Sequence, residues 1–189
     1  MRSMTDHPAR PADARPASPD PGRGPSPWSA ERLHPLTRYQ IADRLPELCA
    51  LYAATRGVRT WQEDRRSHDF RQRLTADIRR PGFGLLVAEN TSITACAYGF
   101  PLRAGMFEIR EIVVPPQVRQ LSPQREWNLA RRLQKRLLVD HGHTTGITLV
   151  PRTDVWTVEA LRSWGWRDAP GTPYGTTLWP PRHVLLLSV

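Results

Sequence analysis

The residues whose types and spacing could do chemistry lie in one stretch of the chain, Phe107–Leu138. Its first part, FEIREIVV, is a β-branched and apolar run typical of a buried strand. Its last part, REWNLARRLQKRLL, carries apolar residues at helical spacing. An Arg-containing loop between them would bring backbone N–H groups and a helix N-terminus to the end of the strand. Such an arrangement commonly holds a phosphate group, so this stretch predicts an anion-binding site.

The elements that must position this stretch follow from the periodicity of the rest of the chain. Gly99 and Pro101 predict a bend or bulge in a central strand. The order ααβββαβαβ predicts an α/β domain with a mixed sheet, and a further strand near 174–179 is left open. We expect strands at 83–89, 93–102, 106–114, 147–150 and 183–189, and helices near 40–55, 67–79, 127–139 and 155–164.

The first 33 residues differ in composition from the rest of the chain. They are rich in Pro, Ala and Arg and nearly lack the apolar residues that a core requires. A segment that cannot bury apolar surface does not offset the entropy of ordering its backbone. We therefore predict a disordered tail over 1–33 and one folded domain over 34–189.

The chain carries a formal net charge of +9, and Lys135 is its one lysine. Arginine suits bidentate contact with phosphate or carboxylate, although a chain rich in Arg, Ala and Pro is also typical of a high-GC genome. No nucleic-acid-binding module is recognisable, so we expect no nucleic-acid partner. Non-specific binding by the Arg-rich segment 125–136 stays as an alternative that rests on charge alone.

Cysteine content and hydropathy bear on where the protein acts. The two cysteines, Cys49 and Cys96, lie in apolar surroundings, so we expect reduced core residues and neither a disulfide framework nor a metal site. No segment approaches the roughly 20 apolar residues of a membrane span, and the N-terminus lacks the apolar run of a secretory signal. The sequence therefore predicts a cytoplasmic protein without a membrane partner.

Four pieces of the chain, in this order and spacing, resemble the GNAT superfamily of acyl-CoA-dependent N-acyltransferases. PGFGLLVAENTSITACAYGF resembles its central hairpin, and FEIREIVV its fourth strand, which ends at a V-shaped opening. REWNLARRLQKRLL resembles its pyrophosphate loop and helix, and VEALRSWGW its C-terminal helix with a Gly–aromatic step. The resemblance spans about Leu36 to Val189. It implies a single domain with a GNAT-like mixed, mostly antiparallel central sheet flanked by helices.

The family's pyrophosphate loop reads Arg or Gln, two residues, Gly, one residue, then Gly or Ala, and two registers compete here. The register from Arg119 places Pro123, which has no N–H, inside the cradle. The register from Arg125 keeps the Arg and the final Ala, and it replaces the first Gly with Asn128, which tolerates a positive φ. We prefer the second register. The resemblance then implies acyl-CoA contacts at Val113, Val114, Arg125, Glu126, Trp127, Asn128, Leu129, Ala130 and Arg131.

The resemblance also implies a reaction, the transfer of an acetyl or other acyl group from acyl-CoA to an amine of a small molecule or protein. Glu111 occupies the strand position where many members carry the carboxylate that accepts the amine's proton. Many members place a Tyr four residues before the Gly of the Gly–aromatic step, where it protonates the leaving thiolate. Here that position is Leu161, which cannot donate a proton. A catalytically silent GNAT-like domain that binds a ligand or protein is therefore the alternative.

Other candidate residues have plainer explanations. Tyr98 is an alternative proton donor, although an aromatic residue on a central hairpin more often packs in the core. His141 and His143 flank Gly142 in a turn and lack further metal ligands nearby. Trp156, Trp164 and Trp166 are candidates for a substrate wall, although burial is the simpler explanation for most of them. Pairing of two copies through sheet edges, which is common in these domains, stays open.

Overall fold

The structure is a computed structural model that describes residues 31–55, 60–102, 105–115, 123–170 and 182–189. Within these ranges the side chains of residues 60–64 and 123–128 are not described. Three segments lie outside the described residues: residues 1–30 of the tail predicted over 1–33, the loop from 116 to 122, and the possible strand near 174–179.

The described strands form one sheet of seven strands in the order β1-β2-β3-β4-β5-β7-β6. Neighbouring strands run antiparallel, apart from β4 and β5, which run parallel. This agrees with the predicted mixed and mostly antiparallel sheet. The strands are β1 Arg32–Pro35, β2 Gly84–Glu89, β3 Ile93–Pro101, β4 Phe107–Val113, β5 Thr145–Pro151, β6 Arg167–Asp168 and β7 Arg182–Ser188.

Helices cover both faces of the sheet, so the core has two parts. One buried cluster joins the first helices to one face, and a second joins the last two helices to the opposite face. Side chains along β2 and β3 alternate between the two clusters, as the pleat of a doubly covered sheet requires. The helices are α1 Arg38–Asp43, α2 Leu45–Ala54, α3 Thr60–Asp77, α4 Pro123–Asp140 and α5 Val155–Ser163.

Several predicted boundaries were wrong, and each error has a local cause. The helix predicted near 40–55 is two helices that meet at Arg44, because Pro46 starts a new first turn, where a missing N–H costs nothing. Helix α4 begins at Pro123, four residues before its predicted start at about 127. The short edge strands β1 and β6 were not predicted, and β1 begins at Arg32, two residues inside the segment assigned to the tail.

The predicted irregularity at Gly99 is confirmed as a β-bulge between β3 and β4. Tyr98 pairs with Glu111 whereas Gly99 pairs with Ile109, so Arg110 is an extra residue on β4. A Cβ atom at Gly99 would overlap the carbonyl oxygen of Glu108, so only glycine allows the two backbones to approach here. The bulge therefore depends on the absence of a side chain at position 99.

The bulge reverses which face of the sheet the end of β4 presents. Phe107 and Ile109 lie in the cluster beneath α4, whereas Val113 lies in the opposite cluster beneath α3. In a regular strand these three residues would share one face, since side chains repeat every second residue. The extra residue therefore turns Glu111 towards α3.

Candidate active site

Glu111 lies on the second half of β4, where that strand has left its parallel neighbour. Strands β4 and β5 pair only at Phe107 with Gly146 and at Glu108 with Ile147. Beyond these pairs β4 and β5 are not paired among the described residues, so the V-shaped opening that the resemblance implies would lie here, towards the carboxyl ends of the two strands. The edge of β4 that faces this opening, from Ile109 to Val113, has no backbone partner among the described strands, so it can bind an extended ligand through backbone groups.

Tyr98 lies beside Glu111 on the face of the sheet that α3 covers. The side chain is fully buried, and its hydroxyl has no hydrogen-bond partner among the described residues. Burial raises the pKa of Tyr98 well above its usual value, and the negative charges of Glu111 and Asp77 raise it further. The hydroxyl is therefore neutral, and giving its proton to a thiolate, whose conjugate acid has a lower pKa of about 8.5, would be unfavourable.

A network of ion pairs joins the end of α3 to the bulge. The Asp77 carboxylate, which is nearly inaccessible to solvent, lies 3.1 Å from Arg80 Nε and 3.4 Å from Arg110 Nε. Arg110 also donates to Glu108 Oε1 over 2.9 Å. Both Arg110 and Glu111 point towards α3, so the bulge places a cation and a carboxylate of the same strand in one polar layer.

Comparison with solved structures shows a likeness of overall fold to proteins described as acetyltransferases. The PaiA N-acetyltransferase of Thermoplasma acidophilum, in complex with coenzyme A, matches 84% of this chain and 98% of its own, with a TM-score of 0.57 and 10% identity. The ribosomal-protein-S18-alanine N-acetyltransferase of Escherichia coli matches 84% and 93%, with a TM-score of 0.52 and 16% identity. A GNAT family acetyltransferase of Elizabethkingia anophelis with acetyl-CoA bound matches 85% and 99%, with a TM-score of 0.50 and 14% identity.

The chain has the GNAT fold. Neither a protein-family model nor a curated protein matches the sequence, so the likeness is one of structure at low identity. The resemblance stated from the four sequence pieces is confirmed at the level of the fold.

Within the GNAT fold, the predicted cofactor residues lie at the end of β4 and the start of α4. Val113 is buried and ends β4, and Val114 follows it, half-buried against the cluster beneath α4. Residues 125–131 belong to α4, and the buried Leu129 and Ala130 pack on the sheet. The N–H groups of a helix interior bond to carbonyls four residues earlier. The open amides therefore lie in the first turn, before most of the predicted contacts.

Leu161, at the position that the resemblance assigns to a proton donor, packs in the core. It belongs to the buried cluster beneath α4 and α5, together with Trp164 and Trp166. The indole of Trp166 donates to Gln134 Oε1 over 2.9 Å, and the same amide donates to the carbonyl of Trp164 over 3.0 Å. These two tryptophans are structural, whereas Trp156 is 81% exposed.

The two histidines of the turn after α4 make hydrogen bonds with backbone carbonyl groups. The Nδ1 atoms of His141 and His143 lie 2.8 Å from the carbonyls of Leu137 and Gly105, and both rings pack against Phe107. Among the described residues, no group of three or more His, Cys, Asp or Glu side chains could hold a metal ion. None of the described helices has the length and apolar character of a membrane-spanning segment.

The sequence prediction missed Arg73 and Asp77, which the structure brings to the face of Glu111. Both residues follow core positions of α3 by three residues, since Phe70 and Leu74 are fully buried. This spacing places them beside the apolar stripe that covers the sheet. The periodicity that identified the helix could therefore have indicated which of its charged residues face inwards.

Proposed function

We propose that this protein transfers an acyl group, acetyl in the simplest case, from acyl-CoA to an amine. The observation that carries the proposal is that the pairing of β4 with β5 ends before Glu111, within the GNAT fold. The unpaired edge of β4 would line a cleft for the cosubstrate, and the bulge supplies a carboxylate beside it. The acetyltransferases of the same fold, solved with coenzyme A or acetyl-CoA, support this choice of cosubstrate.

Two parts of the chain would hold the cosubstrate. Backbone groups of Val113 and Val114 would bind the pantetheine arm along the open edge of β4. The pyrophosphate would bind at the first turn of α4, because the amides of Gln124 and Arg125 have no carbonyl to bond within a helix that begins at Pro123. The helix dipole favours an anion there, and Arg125 and Arg131 would add positive charge.

Glu111 would act as the general base. The bound acyl-CoA supplies a thioester carbon, at which an N–C bond to the amine forms while the C–S bond breaks. Glu111 would take the proton that the amine nitrogen loses, either directly or through one water molecule. A backbone N–H of β4 would polarise the acyl carbonyl, as an oxyanion-hole donor does. Because Leu161 has no proton to give, the thiolate would leave as the anion and take its proton from solvent.

Acyl-CoA binding is the first test. Isothermal titration with acetyl-CoA should give saturable binding, and free thiol should appear above background when acetyl-CoA is mixed with a panel of amines. The variant Glu111→Gln should lower the turnover rate about 10²- to 10⁴-fold while it keeps the affinity for acetyl-CoA. Glu159→Gln, the same change on the exposed face of α5, is the matched control. Absence of binding at millimolar acetyl-CoA would contradict the proposal.

A catalytically silent domain of the same fold is the second candidate. The apolar environment of Leu161 favours a silent domain, since this position lacks the tyrosine proton donor that the resemblance to GNAT enzymes implies. This candidate predicts a ligand or protein that binds without thiol release. Thiol release above background that Glu111→Gln abolishes would exclude it.

The proposal extends to the class of acceptor and to the compartment in which the protein acts. The acceptor is an amine of a small molecule or protein, and the site of action is the cytoplasm, with both cysteines reduced. Cys49 and Cys96 are free thiols in the structure. A homodimer joined through sheet edges stays a prediction that sedimentation analysis can test.

A further inference from the structure

Helix α3 brings the guanidinium of Arg73 to the carboxylate proposed as the base. The Arg73 Nη2 atom lies 3.6 Å from Glu111 Oε2, and the side chains are 39% and 20% exposed. This is the one ion pair that Arg73 makes among the described residues, whereas Arg110 is shared between Asp77 and Glu108. The guanidinium therefore lies where its charge acts mainly on Glu111.

An aromatic pair keeps this guanidinium in place. The Arg73 Nη2 atom donates to the Tyr52 hydroxyl over 3.2 Å, and its Cζ atom lies 5.9 Å from the centroid of the Tyr52 ring. Tyr52 is itself stacked on Phe70, with ring centroids 4.4 Å apart. A cation bound by a hydrogen bond to one side chain and by packing on a ring loses much of the freedom of an exposed arginine.

Among the described residues, ionisable groups around Glu111 come from four elements. Arg73 on α3 and Cys96 and Tyr98 on β3 interact with Glu111 itself, whereas Tyr52 on α2 acts on Arg73, and Asp77 on α3 and Arg110 on β4 act on Tyr98. Burial alone would lower the pKa of Arg73, but attraction to Tyr52 and Glu111 raises it. The Tyr98 hydroxyl is neutral, and the buried thiol of Cys96 has a raised pKa. Arg73 is thus a cationic partner that lies within ion-pair distance of Glu111.

We propose that Arg73 is a positioning residue for Glu111. The inference rests on the proposed function, in which Glu111 accepts a proton from the amine. The cation stabilises the carboxylate form of Glu111 and fixes its direction at the bulge, so that the base is ionised before the amine arrives. Because Tyr52 anchors Arg73, the geometry of the base on β4 depends on the packing of α2 and α3 on the sheet.

The test compares two arginines of α3 in the full-length protein. Arg73→Gln removes the cation at Glu111, and Arg71→Gln removes an equal charge from an exposed groove that His68, Thr75 and Arg79 also line. The kcat/KM for the best amine is measured against pH, together with the KM for acetyl-CoA. We expect Arg73→Gln to lower kcat about tenfold and to move the acid limb of the profile up by about one pH unit. The KM for acetyl-CoA should not change, and Arg71→Gln should behave like the wild type.

Two further variants separate a positioning role from a structural one. Arg73→Lys keeps the charge and should return the acid limb towards its wild-type position, with part of the lost rate. Tyr52→Phe keeps every charge but removes the hydroxyl that anchors Arg73, so kcat should fall with a smaller change of the acid limb. Circular dichroism of each variant shows whether it is folded.

The outcomes distinguish this inference from the proposed function. An active wild type with identical pH profiles for Arg73→Gln and Arg71→Gln overturns the role of Arg73 and leaves acyl transfer intact. A loss of kcat in Arg73→Gln that Arg73→Lys does not repair, with an unmoved acid limb, also overturns it. A wild type that binds no acetyl-CoA and acylates no amine overturns the proposed function, and the inference fails with it.

Discussion

Tyr98 and Glu111 face each other across β3 and β4, at the last regular pair before the bulge. One is a fully buried phenol without a hydrogen-bond partner among the described residues, and the other is a carboxylate held at 3.6 Å by Arg73. An unpaired buried hydroxyl costs free energy in the folded state. The Tyr98 hydroxyl is therefore expected to destabilise the folded protein beside the proposed base.

The first prediction concerns this hydroxyl. Tyr98→Phe keeps the ring that packs against Phe70 and Phe83, and it removes an oxygen that has no partner in the structure. We therefore expect the free energy of unfolding to rise by about 1 kcal/mol, measured by urea denaturation without ligand. Tyr52→Phe is the control, since its hydroxyl accepts a bond from Arg73. Tyr52→Phe should lower the free energy of unfolding by a similar amount. A lower free energy of unfolding in Tyr98→Phe would contradict the conclusion that the Tyr98 hydroxyl has no hydrogen-bond partner.

The second prediction concerns the glycine that permits the bulge. In Gly99→Ala the new methyl group would overlap the Glu108 carbonyl and the Phe107 ring, so the strands must shift. We expect a loss of about 3 kcal/mol in the free energy of unfolding, together with a loss of activity because the bulge aims Glu111. Gly142→Ala, at a turn with φ of 69° and open space around the added atom, should cost only about 1 kcal/mol. Equal losses in both variants would mean that the close approach at Gly99 is unimportant.

The third prediction addresses the missing proton donor. Leu161 is buried among the residues beneath α4 and α5, so a larger side chain there has no room. We expect Leu161→Tyr to lower the free energy of unfolding by about 1–3 kcal/mol and to leave turnover no higher than in the wild type. Leu161→Met, which conserves volume, should cost less than about 1.5 kcal/mol. A stable Leu161→Tyr variant with faster turnover would show instead that this position reaches the thiolate.

The fourth prediction is a pH dependence of stability at the opposite edge of the sheet. A hydrogen bond from Arg44 lowers the pKa of Glu89, and the charges of Arg44 and His34 add to this effect. A carboxyl whose pKa is lower in the folded state stabilises the protein above its unfolded pKa. It loses that contribution as the pH falls through the folded value. Glu89→Gln should therefore cost stability at neutral pH, at most about 1 kcal/mol because solvent screens the pair, and little in strong acid.

Thermal unfolding of Glu89→Gln and the wild type across this pH range checks the fourth prediction. Asp168→Asn removes a partner of Arg162 from a pair whose two side chains are about half exposed, and it should have little effect on the melting temperature at neutral pH. A constant difference between Glu89→Gln and the wild type at every pH would contradict the linkage.

The sequence by itself determined the order of the elements and the class of fold. The continuous apolar runs in 84–89 and 93–98, the apolar stripe of α4 and the glycine that follows α5 are local signals, because each depends on a few neighbouring residues. These signals predict an α/β domain with a mixed sheet. They also indicated an irregularity at Gly99, although they did not indicate its direction.

Only the tertiary structure decided which side chains meet Glu111. Strict alternation along β4 would have placed Glu111 on the same face as Phe107 and Ile109, towards α4. The extra residue at Arg110 reverses that face, and the packing of α2 and α3 then supplies Arg73, Tyr52 and Asp77 from segments 34–59 residues earlier in the chain. Register and helix packing are long-range properties that no local pattern encodes. The surroundings of the proposed base are therefore a product of the fold.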